Sequence, residues 1–90
     1  MIIFPRKIKG REDALSITIP HNIAETYGML PGDYVNVTLK KTPKDTKEIR
    51  FAKKISKCGS QGTLLYVPKH IIREHGLKRN MTFWVYIEEV

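Results

Sequence analysis

Apolar and polar positions alternate along most of this chain, and the alternation runs twice in the same order. Leu15, Ile17 and Ile19 fall on one face of a strand and Ser16 and Thr18 on the other, the period of two of a half-buried strand. Val35, Val37 and Leu39 repeat this against Tyr34, Asn36 and Thr38. An earlier strand is predicted over 2–9, where Ile2, Ile3, Phe4 and Ile8 favour extended structure and Pro5 confines it to an edge or a bend. Gly10-Arg11-Glu12-Asp13 reads as a polar turn. Pro20 opens a short helix, where its missing N–H would lack a partner in any case. Ile23 and Tyr27 share one face of that helix, and Gly28 caps it. Leu30-Pro31-Gly32-Asp33 is a turn, with proline presetting the first central residue and glycine accepting positive φ. Residues 40–48 form a charged, proline-bearing loop.

The second half follows the same plan. Strands are expected over 49–56, 63–67 and 82–88, turns over 57–62 and 78–81, and a short helix from Pro68 to His75 with Gly76 as its cap. Residues 15–35 align with residues 63–83 at an offset of 48, set by Pro20 and Pro68. At that offset Ile19 meets Val67, Ile23 meets Ile71, Gly28 meets Gly76, Val35 meets Phe83 and Val37 meets Val85. The first strands match one residue out of step: Phe4-Pro5-Arg6-Lys7-Ile8 against Phe51-Ala52-Lys53-Lys54-Ile55. A repeat of this size is one supersecondary unit used twice, and two such units imitate a two-fold homodimer within one chain. Repeat one covers 1–48 and repeat two 49–90. Each is too short to bury an adequate core alone, so one interlocked domain over 1–90 is expected. The predicted order is β-β-α-β-β-β-α-β: a mostly β fold with two short helices at the rim of a compact barrel.

Ile17-Thr18-Ile19-Pro20, then Gly28, then Pro31-Gly32-Asp33 resembles the AbrB/MazE/SpoVT family of swapped-hairpin DNA-binding domains. The second copy keeps Pro68 and Gly76 but has Asn80-Met81 where Gly-Asp is expected. Asparagine tolerates the left-handed conformation this turn needs. The resemblance implies an AbrB-like β-barrel built from two repeats as a pseudo-dimer, and a transcription regulator that binds double-stranded DNA. It also implies contacts from the first strand, the following loop and the helix start. Carried over by position, these are Arg6 and Lys7 with Lys53 and Lys54; Lys9 and Arg11 with Lys57; and Lys69 and Arg73, with His21 at the first helix start. Copy one has Ala24 and Glu25 where the family often carries arginines.

Charge bears on the same question. The chain has 16 basic and 9 acidic residues, for a net charge of +7, and such an excess on a small domain points to a polyanion. Residues 6–11 hold four positive charges and no negative one. Two such strands related by a pseudo-two-fold make one basic face; the plainer reading is a solvated strand edge that resists aggregation. Lys40, Lys41, Lys44 and Lys47 are diluted by Asp45 and Glu48 and read as a solvated loop.

The outward strand positions distinguish the copies. Ser16, Thr18, Asn36 and Thr38 in copy one correspond to Leu64, Tyr66, Trp84 and Tyr86 in copy two. Their composition is that of an interface centre, which predicts self-association or a protein partner through the second repeat. The alternative is cover from within the chain. An antitoxin of the same fold is a second possible function, and a protein-interaction or DNA-packaging module is a third, with the aromatic face favouring interaction and the charge favouring packaging. A tail-bearing antitoxin fits less well, because Glu88-Glu89-Val90 follows the last strand directly.

Other chemistry is not indicated. The lone Cys58 gives no disulfide and no CxxC metal site. His70 and His75 lack metal-ligand spacing on one helix face, and His75, aligned with Tyr27, reads as a partly buried helix residue. No Ser/His/Asp or Cys/His arrangement stands out, so no enzyme, cofactor or small-molecule substrate is expected. No apolar run approaches a membrane span, and the basic N-terminus is unlike a signal peptide. A cytoplasmic, nucleoid-associated protein is the resulting expectation.

Overall fold

The computed structural model describes residues 2–11, 14–57 and 62–89. Glu12 and Asp13 of the first expected turn, Cys58 and most of the 57–62 turn lie outside the described residues. The elements are β1 (Ile2–Lys7), β2 (Lys9–Arg11), β3 (Ala14–Ile19), α1 (His21–Thr26), β4 (Tyr34–Lys40), β5 (Ile49–Lys54), β6 (Ser56–Lys57), β7 (Thr63–Tyr66), α2 (Lys69–His75) and β8 (Thr82–Glu89). They form two antiparallel four-stranded sheets, β1-β8-β4-β5 and β2-β3-β7-β6.

The mostly β class with two short helices is as expected, but no hydrogen-bonded ladder closes the described strands into a barrel. The reason lies in the two bends. The single strands expected over 2–9 and 49–56 each break at an isoleucine and change sheets there. Ile8 N–H donates to the Met81 carbonyl at 2.8 Å, and the Asn80 N–H donates to the Ile8 carbonyl at 2.9 Å. At the second bend Ile55 donates to Asp33 and accepts from Gly32, both at 2.8 Å. Both isoleucines are buried. Each therefore works as a corner: its side chain enters the core while its peptide groups pair with a turn instead of a strand. Gly10 and Arg11 belong to β2 and pair with Leu15 and Ala14, where a turn was expected.

Pairing crosses the midpoint of the chain. The partner of β1 is β8, from Ile2↔Ile87 to Lys7↔Thr82. The partners of β4 are β5 and β8, and β3 pairs β7. Exchanging β1 with β5, β2 with β6, β3 with β7 and β4 with β8 leaves both sheet orders unchanged. The register obeys the same exchange: Phe4↔Val85 corresponds to Phe51↔Val37.

One cluster of buried side chains lies between the sheets and draws on both halves, including Ile8, Leu15, Ile17, Leu39, Ile55, Leu65, Phe83 and Ile87. Burial of each such side chain contributes about 1.5–3 kcal/mol. The helices are short flaps over this core. Pro20 and Pro68 are N-caps rather than first helical residues, and their carbonyls receive the first helical N–H groups. Ala24 is the buried residue of α1, and Ile71 and Ile72 are those of α2. Tyr27 is 53% exposed, and His75 is exposed rather than partly buried.

Candidate nucleic-acid interface

The β1–β2 bend positions the first group of basic residues. Lys7 and Lys9 flank the buried Ile8, so both stay exposed while the backbone between them is fixed. Arg6 follows Phe4 on the inward side of β1 but is only half-buried, because it lies opposite Phe83 near the strand's end. Arg11 is exposed at the far end of β2.

The clamp on Ile8 brings in two residues that the sequence reading missed. Asn80 and Met81 hold Ile8, and the turn that carries them includes Lys78 and Arg79, both exposed. That turn is tied by the Met81 N–H donating to the Lys78 carbonyl at 3.4 Å and by the Lys78 N–H donating to the Met81 Sδ at 3.2 Å. Lys7 pairs with Thr82, the next residue along. At the repeat offset of 48, Lys78-Arg79 stands where copy one has Leu30-Pro31. The departure itself was the available signal.

Helix α2 completes the group. The Val67 N–H donates to the Leu15 carbonyl at 2.9 Å, and Leu15 pairs with Gly10. The helix thus leaves its sheet beside β3, one strand removed from β2, and runs into the 78–81 turn. Lys69 and Arg73, four apart on one face, are exposed along this path. Segments 6–11 and 78–79 therefore meet at one corner with six basic residues, and the helix that leads into the 78–81 turn carries two more, Lys69 and Arg73. None of the eight forms an ion pair with another described residue.

Lys53, Lys54 and Lys57 lie at the other corner. β1 and β5 are opposite edges of their sheet, so β8 and β4 separate the two basic strand pairs. Lys54 lies over the Tyr34 ring at 5.5 Å. His21 Nε2 lies 3.0 Å from Glu25 Oε1. These two residues, with Leu30, Pro31 and Lys57, line a shallow groove. Leu30 is 64% exposed and Tyr34 56% exposed.

In the lysine-rich loop Lys40 is engaged internally, whereas Lys41, Lys44 and Lys47 are exposed. Arg50 Nε donates to Glu48 Oε2 at 2.6 Å, and Lys40 Nζ lies 3.6 Å from Glu48 Oε1 and 5.4 Å from the centre of the Tyr86 ring. The hydrogen bond from Arg50, more than any other influence, holds the Glu48 carboxyl below its ordinary pKa.

The four apolar residues proposed as an interface do not form one patch. Leu64 and Tyr66 are on β7, in one sheet, and Trp84 and Tyr86 on β8, in the other. Leu64 is buried, Tyr66 exposed, and Trp84 and Tyr86 half-buried. Across the strand from Trp84 and Tyr86 stand Pro5 and Ile3 of the first half. Their counterparts Asn36 and Thr38 face Ala52 and Arg50. The aromatic pair thus has apolar neighbours on β1, while on its other side Tyr86 stands opposite Thr38 and Trp84 opposite Lys40.

No protein-family model matches the chain, and no curated protein matches it. Its fold is similar to the solution structure of PHS018 from Pyrococcus horikoshii, with a TM-score of 0.64 over 97% of this chain and 88% of that one, at 19% identity. At that identity the likeness speaks for the fold alone.

Proposed function

We propose that this chain is a DNA-binding transcription regulator, and that its two repeats form a swapped-hairpin unit of the AbrB/MazE/SpoVT type. The observation that carries the reading is the grouping of Arg6, Lys7, Lys9, Arg11, Lys78 and Arg79 at one corner, fixed by backbone hydrogen bonds at Ile8, with Lys69 and Arg73 on the helix that leads into it. A corner of this kind suits the phosphate backbone: lysines supply point charges, and arginines fork to phosphates or to guanine edges. The exchange of strand partners across the midpoint supports the swapped-hairpin part.

The test is binding to short random-sequence duplexes across a salt series, followed by selection of preferred sequences. Log K falls with log salt by roughly 0.9 for each phosphate neutralised, so a steep slope with an enriched sequence is the expected result. A steep slope without enrichment makes the protein a packaging module. No duplex binding at low salt overturns the reading.

A further inference from the structure

The two corners have the same backbone plan and different side chains. Under the strand exchange, the Lys78-Arg79 turn corresponds to Leu30-Pro31, Lys69 to His21, Arg73 to Glu25 and Lys9 to Ser56. The first corner and the helix leading into it hold eight basic residues against Glu74 and, in sequence, the neighbouring Glu12 and Asp13; Asp45 and Glu48, balanced by Lys41 and Lys47, line the adjoining groove with Met81. The second holds Lys53, Lys54 and Lys57 against Glu25 and Asp33, with Leu30, Pro31 and Tyr34 exposed among them. A phosphate backbone approaching the second corner would meet two carboxylates and apolar side chains. Desolvating those groups offers little return.

We infer that each chain engages DNA through the β1–β2 corner alone, with Lys78 and Arg79 as contact residues, and therefore reads one asymmetric site rather than a two-fold palindrome. This rests on the DNA-binding reading. A symmetric dimer presents two equal contact surfaces and selects two equal half-sites. Here the covalent pseudo-dimer keeps the shape of that arrangement and has lost the second contact surface. The charged groups that remain there lie beside Tyr34, Glu25 and Leu30.

Two triple variants of equal charge change test it. One carries Lys9→Gln, Lys78→Gln and Arg79→Gln; the other carries Lys53→Gln, Lys54→Gln and Lys57→Gln. Both are checked for unchanged thermal unfolding and titrated with a random-sequence duplex at several salt concentrations. The first triple flattens the slope of log K against log salt by roughly 2 to 3, at 0.9 per phosphate. The second leaves it within the small change expected of net charge alone. Equal flattening by both triples, or a selected sequence that is palindromic, overturns the one-sided inference while leaving DNA binding standing. If the parent binds no duplex at low salt, the DNA-binding reading falls and takes this inference with it. If either triple lowers thermal stability, single Lys78→Gln and Lys54→Gln variants make the same comparison, with roughly 0.9 against none expected.

Discussion

The bend between β1 and β2 and the bend between β5 and β6 have one architecture and two surfaces. Each is a buried isoleucine, Ile8 or Ile55, whose peptide groups are paired by a turn from the opposite half. Each turn needs one residue at positive φ, supplied by Asn80 at 75° and by Gly32 at 98°. Even the side-chain lock on the turn recurs: the Leu30 N–H donates to the Asp33 carboxylate at 3.1 Å, and the Lys78 N–H donates to the Met81 sulfur. The exposed positions share this at the strand ends, where Lys7 and Lys54 correspond, and not on the turns and helices. Folding thus fixes the corner isoleucine and the turn conformation and leaves residues such as Lys78 or Leu30 free. Their divergence carries functional information for that reason.

The largest expected effect comes from separating what is compared. Within 1–48 only the short β2–β3 ladder keeps its partner, because β1 pairs β8 and β4 pairs β5 and β8. Residues 1–48 alone show no cooperative thermal transition by circular dichroism, and mixing with residues 49–90 restores one. A cooperative, monomeric 1–48 fragment would break the interlocked account.

Next comes a backbone difference between the bends. Gly10 has φ 111°, and a Cβ there would run into the Ala14 carbonyl oxygen. Gly10 pairs with Leu15, and Lys57 takes the corresponding place opposite Thr63. Gly10→Ala costs at least about 2 kcal/mol in urea unfolding, from left-handed strain and the clash together. Lys57→Ala changes stability by less than about 0.5 kcal/mol, as an exposed substitution. Comparable losses in both would show that the β2 and β6 backbones are equivalent after all.

The paired turns sharpen the comparison further. Nothing lies within 4 Å of a Cβ placed on Gly32, so Gly32→Ala costs only the backbone term, about 1 kcal/mol. Asn80→Ala costs about as much, and Asn80→Gly is close to neutral, because both act at one conformation. Chemical denaturation of the three variants checks this; an Asn80→Gly protein destabilised as much as Asn80→Ala would mean that the asparagine side chain has a second role.

The smallest effect is electrostatic. Arg50 holds the Glu48 carboxyl below its ordinary pKa. Its contribution to stability is therefore present above the usual glutamate range and lost as pH falls through the lowered folded-state value. Glu48→Gln narrows the stability difference between neutral and acid pH slightly, and added salt removes the distinction. Thermal melts of parent and variant from neutral to acid pH measure it; parallel curves at low salt would show that the pair contributes nothing.

The element order was legible in the sequence because strand alternation and turn chemistry are local. Leu15-Ile17-Ile19 and Pro31-Gly32 announce themselves within a few residues. The sheet switch was not legible, because Ile8 and Ile55 read as ordinary strand residues until a turn about 70 residues away, or about 20 residues before, is seen to pair their peptide groups. The same limit applied to the site. Arg6 to Arg11 stood out as a charge run, whereas Lys78 and Arg79 joined them only through the Ile8 clamp. The grouping of Leu64 and Tyr66 with Trp84 and Tyr86 failed for a related reason. Alternation tells inward from outward on each strand and does not tell which sheet a strand joins.

Amide chemical-shift mapping with a duplex of selected sequence tests the one-sided account most directly. The account predicts perturbations over residues 6–11 and 69–81, with residues 21–34 and 53–57 unmoved. Matching perturbations at both bends would contradict it.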